Sequence, residues 1–249
     1  MIYIIWLFLS LGSFAQNNVL FEQGNTLYNA GKYAEAIDKY ETILETNVQS
    51  SDLYFNLANA HYKLDNIAPS IFYYEKALLL NPNDSDIAHN LAFAKNMTVD
   101  AIDDIPDAGF SKLVKSITNI TSFNTWAKFS IAFAIGFVVL FLSYYFAHAT
   151  LKKRLAFIVS LTCLFLMCVT LVLAFNKQSL DKRNNPAIVF AQESQVKSEP
   201  NNRSEEVFRL HEGTKAQVLD TVSNWKKIKL ADGKTGWIPS DDIKMLNNF

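Results

Sequence analysis

Two stretches without a Lys, Arg, Asp or Glu lie almost back to back in this chain, 23 residues over 129–151 and 22 residues over 155–176. A helix rises about 1.5 Å per residue, so ~20 residues cross the roughly 30 Å hydrocarbon core of a bilayer, and each run is long enough. A single water-soluble domain has no place for both. They are expected as two transmembrane helices, over 127–150 and 155–175. Composition points the same way: charged residues are 19% of the chain, where soluble domains carry about a quarter, and the deficit is concentrated in these runs. Cys163 and Cys168 both fall in the second run, where a thiol acts as a small apolar group. The remaining segments contain no cysteine and imply no disulfide framework, zinc site or thiol nucleophile.

Lys152-Lys153-Arg154 fill the short loop between the runs, and basic residues in short loops stay cytoplasmic. Residues 1–15 are apolar from Ile2 to Leu9 and then small, with Ser13-Phe14-Ala15 ahead of Gln16. This reads as a signal peptide cleaved after Ala15 or, uncleaved, as an anchor. In both cases the domain that follows is exported. The leader and the basic loop then agree independently on an outside N-terminal domain, an inside loop and an outside C-terminus. Trp126 at the outer end of the first span, and Tyr144 and Tyr145 at its inner end, suit interfacial belts or ordinary helix packing equally well. Residues 17–125 hold 7 basic against 14 acidic side chains and residues 176–249 hold 12 against 10, so neither segment offers the basic face that nucleic acid requires.

Self-comparison of the N-terminal part gives a period of 34: Gly24 aligns with Ala58, Tyr28 with Tyr62, Tyr33 with Ile67, Ile37 with Ile71, Tyr40 with Tyr74 and Leu44 with Leu78. That spacing is one helix-turn-helix unit. Small residues such as Gly24, Ala36, Ala58 and Ser70 let two helices approach closely, Tyr40 and Tyr74 fill the space between pairs, and Asn81-Pro82-Asn83 ends a helix. Gly24, Gly31, Tyr33, Ala36 and Tyr40, then Leu57, Ala58, Tyr62, Ala77 and Pro82, resemble tetratricopeptide repeats. The expected units are 17–50, 51–84 and a partial third over 85–98. Phe21, Asn25 and Tyr28 share one helix face at i, i+4, i+7, and Phe55, Asn59 and Tyr62 repeat them. The resemblance implies that this face lines a concave groove for proteins or peptides, with the Asn amides pairing a peptide backbone as donor and acceptor. The alternative is that the rings complete the helix packing. The basic residues with which some relatives clamp a terminal carboxylate are absent, Phe21 and Phe55 standing in their places.

Two and a half repeats are short for a solenoid, which needs about three plus a cap, so something else must cover the end. Beyond an acidic linker over 99–108, Phe110, Leu113, Val114, Ile117 and Ile120 fall at helical spacing. An amphipathic helix over 109–125 is expected, lying on the outer leaflet or capping the repeats. After a linker over 176–186 the pattern turns to alternation. Ala216–Asp220, Lys227–Leu230 and Thr235–Ile238 read as strands, with Asp232-Gly233 as a hairpin turn. Val196–Pro200, Glu212-Gly213-Thr214-Lys215, Trp225 and Gly233-Lys234-Thr235-Gly236-Trp237-Ile238 resemble the bacterial SH3-like domain over 187–249. Trp225 and Trp237 are candidates for a ligand surface, peptidoglycan peptides or protein segments by that resemblance, or else they fill the core of a small barrel.

No metal spacing, phosphate loop, nucleophile elbow or catalytic pair occurs, and the four histidines are far apart. No catalytic residue, metal ligand or cofactor is expected, and the chain reads as non-enzymatic. The expected fold is a multidomain membrane protein: an α-helical tetratricopeptide array, a two-helix transmembrane hairpin and a small all-β SH3-like barrel. That order of parts resembles the BatE family of the bacterial aerotolerance operon. The resemblance implies an inner-membrane protein with both end domains in the periplasm, a setting of oxidative or envelope stress, and as partners sibling membrane proteins with von Willebrand A domains and a MoxR-type ATPase. The expected role is a scaffold that presents binding modules at the membrane surface. The alternative is a cell-wall-binding accessory protein.

Overall fold

The computed structural model describes residues 2–102 and 109–247, with side chains from Gln16 onward. It divides into two compact units, one made of Met1–Asp104 with Asn185–Phe249 and the other of Ile105–Asn184.

The first unit begins with five helices: α1 (Ile2–Asn29), α2 (Tyr33–Glu45), α3 (Ser51–Lys63), α4 (Ile67–Leu80) and α5 (Ser85–Lys95). α1 continues without a break from the leader into the first repeat helix. The leader's side chains, and with them the expected cleavage point after Ala15, lie outside the described residues.

The turns inside the repeats follow one design. After α1, Gly31 at φ +77° lets its own N–H reach the Tyr28 carbonyl (3.0 Å) while Lys32 N–H reaches Leu27 (2.9 Å), a paired closure of the helix end. One repeat later Asp65, at φ +57°, bonds Tyr62 and Asn66 bonds His61 in the same pattern. α3 starts at Ser50, whose Oγ accepts from Leu53 N–H, and α5 at Asp84, whose carboxylate accepts from Asp86 and Ile87. Gly24 is a residue of close approach, because a Cβ there would lie 2.4 Å from the Tyr40 ring. Ala36, Ile37, Tyr40, Ile43, Leu53, Leu57 and Ala60 form the core between the first repeat and α3.

The described residues of the same unit also form seven strands: β1 (Pro186–Val189), β2 (Glu193–Lys197), β3 (Glu206–His211), β4 (Lys215–Val222), β5 (Trp225–Lys229), β6 (Thr235–Pro239) and β7 (Ile243–Met245). They form one antiparallel sheet in the order β3-β2-β6-β5-β4-β1-β7. Gly233, at φ +87°, makes the turn between β5 and β6. Gly236 has no room for a side chain, since β2 passes so close that a Cβ would sit 2.4 Å from Val196 Cγ1. Ala187, Val189, Val196, Leu210, Val218, Ile228 and Ile238 lie in the core of this β-domain.

The described residues of the second unit form three helices: α6 (Gly109–Thr118), α7 (Phe123–Phe146) and α8 (Thr150–Arg183). α7 and α8 are long and apolar enough to cross a membrane. They pack through small and hydroxylated residues: Ser130, Ser160, Thr170 and Ala174 are buried, and Gly136 faces Cys163. Ile131, Ile135, Val138, Ile158, Phe165 and Val172 point outward and are mostly exposed. This polarity is inverted relative to a water-soluble helix pair and matches helices packed in lipid.

Some boundaries differ from those expected. The helix sought over 109–125 ends at Thr118, and Ser122 caps α7 by accepting from Thr125 N–H, so the first apolar helix starts earlier and ends at Phe146. α8 takes in Lys152, Lys153 and Arg154 and runs through most of the expected linker to Arg183. Good helix formers and the Lys177–Asp181 pair at 2.9 Å carry it that far, and Lys182 and Arg183 suit its C-terminal dipole.

Candidate functional site

Phe21, Asn25 and Tyr28 on α1, and Phe55, Asn59 and Tyr62 on α3, are all half-buried. Asn25 Oδ1 accepts from Tyr40 OH (2.8 Å) and from Asn56 Nδ2 (2.9 Å). One repeat on, Asn59 Oδ1 accepts from Tyr74 OH and from Asn90 Nδ2 (3.0 Å). Each Asn thus ties its own helix to the second helix of its repeat and to the first helix of the next. A carbonyl oxygen has two lone pairs, and both are used, so the amide group left to address a ligand is the NH2. Burial pushes the Tyr40 phenol up to about 12 and raises Tyr74 also, which keeps both as donors. Phe21 and Phe55 tilt against these same tyrosines, with centroids 5.9 and 6.0 Å apart.

Adding 34 to Phe55, Asn59 and Tyr62 gives His89, Phe93 and Asn96, which the sequence reading passed over because the third repeat is incomplete. His89 and Phe93 meet edge to face at 4.7 Å, and Phe93 is 48% exposed. The half-buried row on α1 and α3 therefore ends in a more exposed ring.

The end of the array is covered by the β-domain. Ile188 and Leu246 are completely or almost completely buried in one cluster with Tyr54, Ile71, Phe72, Ile87, Leu91 and Ala94, and Phe190 packs at its edge with its ring 5.5 Å from Phe72. β1 is buried at every position because its two faces have different owners. Ala187 and Val189 enter the β-domain core, whereas Ile188 enters the repeat core. Gly213 presses onto α4 and the turn after α5, since a Cβ there would fall within about 3 Å of Ile71 and Ile67 on α4 and of Thr98.

Two carboxylates reinforce this contact. Glu75 on α4 meets Lys215 Nζ at 2.6 Å and Lys95 Nζ at 2.9 Å. Burial alone would raise its carboxyl, but the two ammonium groups hold it below the usual carboxylate range. Asp100 accepts from His211 N–H (2.7 Å), Thr214 Oγ1 (2.6 Å) and the His211 ring (2.8 Å), and these bonds outweigh burial to hold it low. Asp100 belongs to the acidic linker expected over 99–108. Residues 103–108, the greater part of that linker, lie outside the described residues.

Trp225 and Trp237 are half-buried and stand outside the buried core, which Ile228 and Ile238 supply instead. Cross-strand register places Lys197, Trp237 and Lys227 in one row, and Lys227 Nζ lies 5.9 Å from the Trp237 ring centre. Lys152, Lys153 and Arg154 are exposed in the first turns of α8, with Lys153 Nζ 5.3 Å from the Tyr144 ring. Among the described residues no group of three or more His, Cys, Asp or Glu could hold a metal ion.

A bacterial SH3 domain model matches residues 194–244. A tetratricopeptide repeat model matches residues 51–84, and a TPR repeat model matches residues 24–65. No curated protein matches the chain. Both kinds of module serve in binding proteins, peptides or peptidoglycan, and neither is typically catalytic. The SH3 match leaves out β1 and Leu246, the parts of the β-domain that enter the repeat core.

Proposed function

We propose that the chain is a two-span membrane scaffold that holds a repeat array and an SH3-like domain, joined as one binding unit, at the outer face of a bacterial inner membrane. The observation that carries this reading is the core shared by Tyr54, Ile71 and Leu91 with Ile188 and Leu246. Its two halves come from chain segments on opposite sides of α7 and α8 in sequence, and a hairpin of two spans returns the second segment to the side of the first. The apolar exterior of α7 and α8 and the basic residues Lys152, Lys153 and Arg154 between the apolar runs support the spans and their orientation. The row of Phe21, Asn25, Tyr28, Phe55, Asn59 and Tyr62 is the proposed partner groove. Resemblance to the BatE family suggests sibling proteins with von Willebrand A domains and a MoxR-type ATPase as partners, in an aerotolerance or envelope-stress complex.

Crosslinking of the intact protein in its native membranes tests this reading. The expected result is recovery of membrane proteins through sites beside Phe55 and Tyr62, with Phe55→Ala abolishing recovery. Recovery unaffected by Phe55→Ala would remove the groove from the account.

The row of Lys197, Trp237 and Lys227 favours a second reading, in which the β-domain binds peptidoglycan stem peptides through an aromatic flanked by cations. Under that reading the detergent-solubilised chain is retained on purified sacculi and Trp237→Ala releases it.

A further inference from the structure

We infer that α6 is a lipid-contacting helix, seated in the interfacial layer of the outer leaflet with Phe110, Leu113, Val114 and Ile117 turned into the hydrocarbon boundary. This rests on the reading of α7 and α8 as membrane spans. At 100° per residue these four side chains fall within about a quarter to a third of the helix circumference, while Ser111, Lys112, Lys115 and Ser116 occupy the opposite face. The apolar face is open: Phe110 is 79% exposed and Leu113 55%, and Ile120 just beyond the helix is 73% exposed. Ten residues are far too few to span, and a helix with one apolar and one basic face lies in the interface plane.

The position of α6 along the hairpin identifies lipid as the occupant. The Trp126 indole N–H donates to the Thr118 carbonyl at 3.1 Å, and Lys177 Nζ donates to Asn119 Oδ1 at 3.2 Å. Trp126 lies in the first turn of α7, and Lys177 is the first charged residue after the apolar run of α8. Both bonds therefore anchor the C-terminal end of α6 at the level where apolar helix surface gives way to charge. Thr118 is fully buried there. The open apolar face of α6 is thus held beside the end of the apolar helix surface of the spans, and Lys112, Lys115, Lys128 and Lys177 suit the phosphate layer.

The test uses the full chain carrying Cys163→Ser and Cys168→Ser, with one new cysteine bearing an environment-sensitive fluorophore. It is reconstituted in vesicles of phosphatidylethanolamine and phosphatidylglycerol containing lipid brominated near the headgroup end of the acyl chain. Phe110→Cys should be quenched at least about twofold more than Lys112→Cys on the polar face, because such helices sit only ~5–10 Å deep. Val139→Cys, on the outward face of α7, serves as the span control. If Val139→Cys is quenched and Phe110→Cys is no more quenched than Lys112→Cys, the inference on α6 is overturned while the spans stand. If Val139→Cys is not quenched, the membrane reading fails and takes the inference with it.

Discussion

At the scale of single residues, His61 is where burial and charge conflict most plainly. Its ring is 8% exposed, stacks on Tyr73 at 5.6 Å and accepts at Nδ1 from Asn66 Nδ2, so the proton belongs on Nε2, which has no hydrogen-bond partner among the described residues. Burial, with Lys244 adding, lowers its pKa from 6.5 to about 4. The folded state thus favours the neutral ring. Its stability contribution is complete above the unfolded value of 6.5 and is lost as pH falls towards 4, to a limit of about 3 kcal/mol. Melting curves of the full chain in detergent should fall steeply between pH 6.5 and 4.5 and flatten in His61→Phe. The carboxyl of Glu75 titrates below that window, so an unchanged slope in the variant would assign the effect elsewhere. Asn59 gives a second residue-scale expectation. Asn59→Ala strands Tyr74 OH and Asn90 Nδ2 together, a loss of about 1–3 kcal/mol in a denaturant titration. A neutral Asn59→Ala would show that the ladder adds nothing to stability.

At the scale of elements, a strand packs on the end of the array, against α4 and α5. α4 and α5 offer Ile71, Phe72, Ile87 and Leu91 to a neighbour, and β1 with Leu246 supplies it. Glu75 pairs with Lys215 across that contact, so a double-mutant cycle of Glu75→Gln with Lys215→Met should show a coupling of about 1–3 kcal/mol. Additive effects would mean that the apolar contact alone sets the docking. The period of 34 made the repeats legible, and the turn pair Asp232-Gly233 with Gly236-Trp237 made the β-domain legible. The docking was harder to read. Its signal was present in Ala187-Ile188-Val189-Phe190, four apolar residues in a row where a strand with one wet face alternates with polar ones. What no spacing could supply was the owner of the second face, since Ile188 and Ile71 are separated by the whole length of both spans. The same non-locality hid Asp100, whose partners His211 and Thr214 follow more than a hundred residues later. In the groove, the period located Asn25 and Asn59 but not the use of their oxygens, because the donors Tyr40 and Asn56 become neighbours only once the helices pack.

At the scale of the whole molecule, the shared core turns topology into a folding condition. If α7 and α8 form a hairpin, reporters fused after Thr150 and after Phe249 should give cytoplasmic and periplasmic signals respectively. Replacing Lys152, Lys153 and Arg154 by Gln removes the basic residues between the apolar runs, the orienting signal of such a pair, and a mixed population is expected. In the fraction whose repeats are exported by the leader while the C-terminus stays cytoplasmic, Ile188, Phe190 and Leu246 would have no repeats to enter, and the apolar end of α4 and α5 would stay open. Each large apolar side chain left in water costs about 1.5–3 kcal/mol, a sum comparable with the whole stability of a small domain. Chains with a cytoplasmic C-terminus should therefore be cut by protease within the repeats at concentrations that spare the wild type. Cytoplasmic signals from both reporters in the wild type would refute the hairpin, and a periplasmic signal after Thr150 with a cytoplasmic one after Phe249 would refute its orientation. Misoriented chains with undiminished protease resistance would instead show that the repeats are stable without the β-domain over their end.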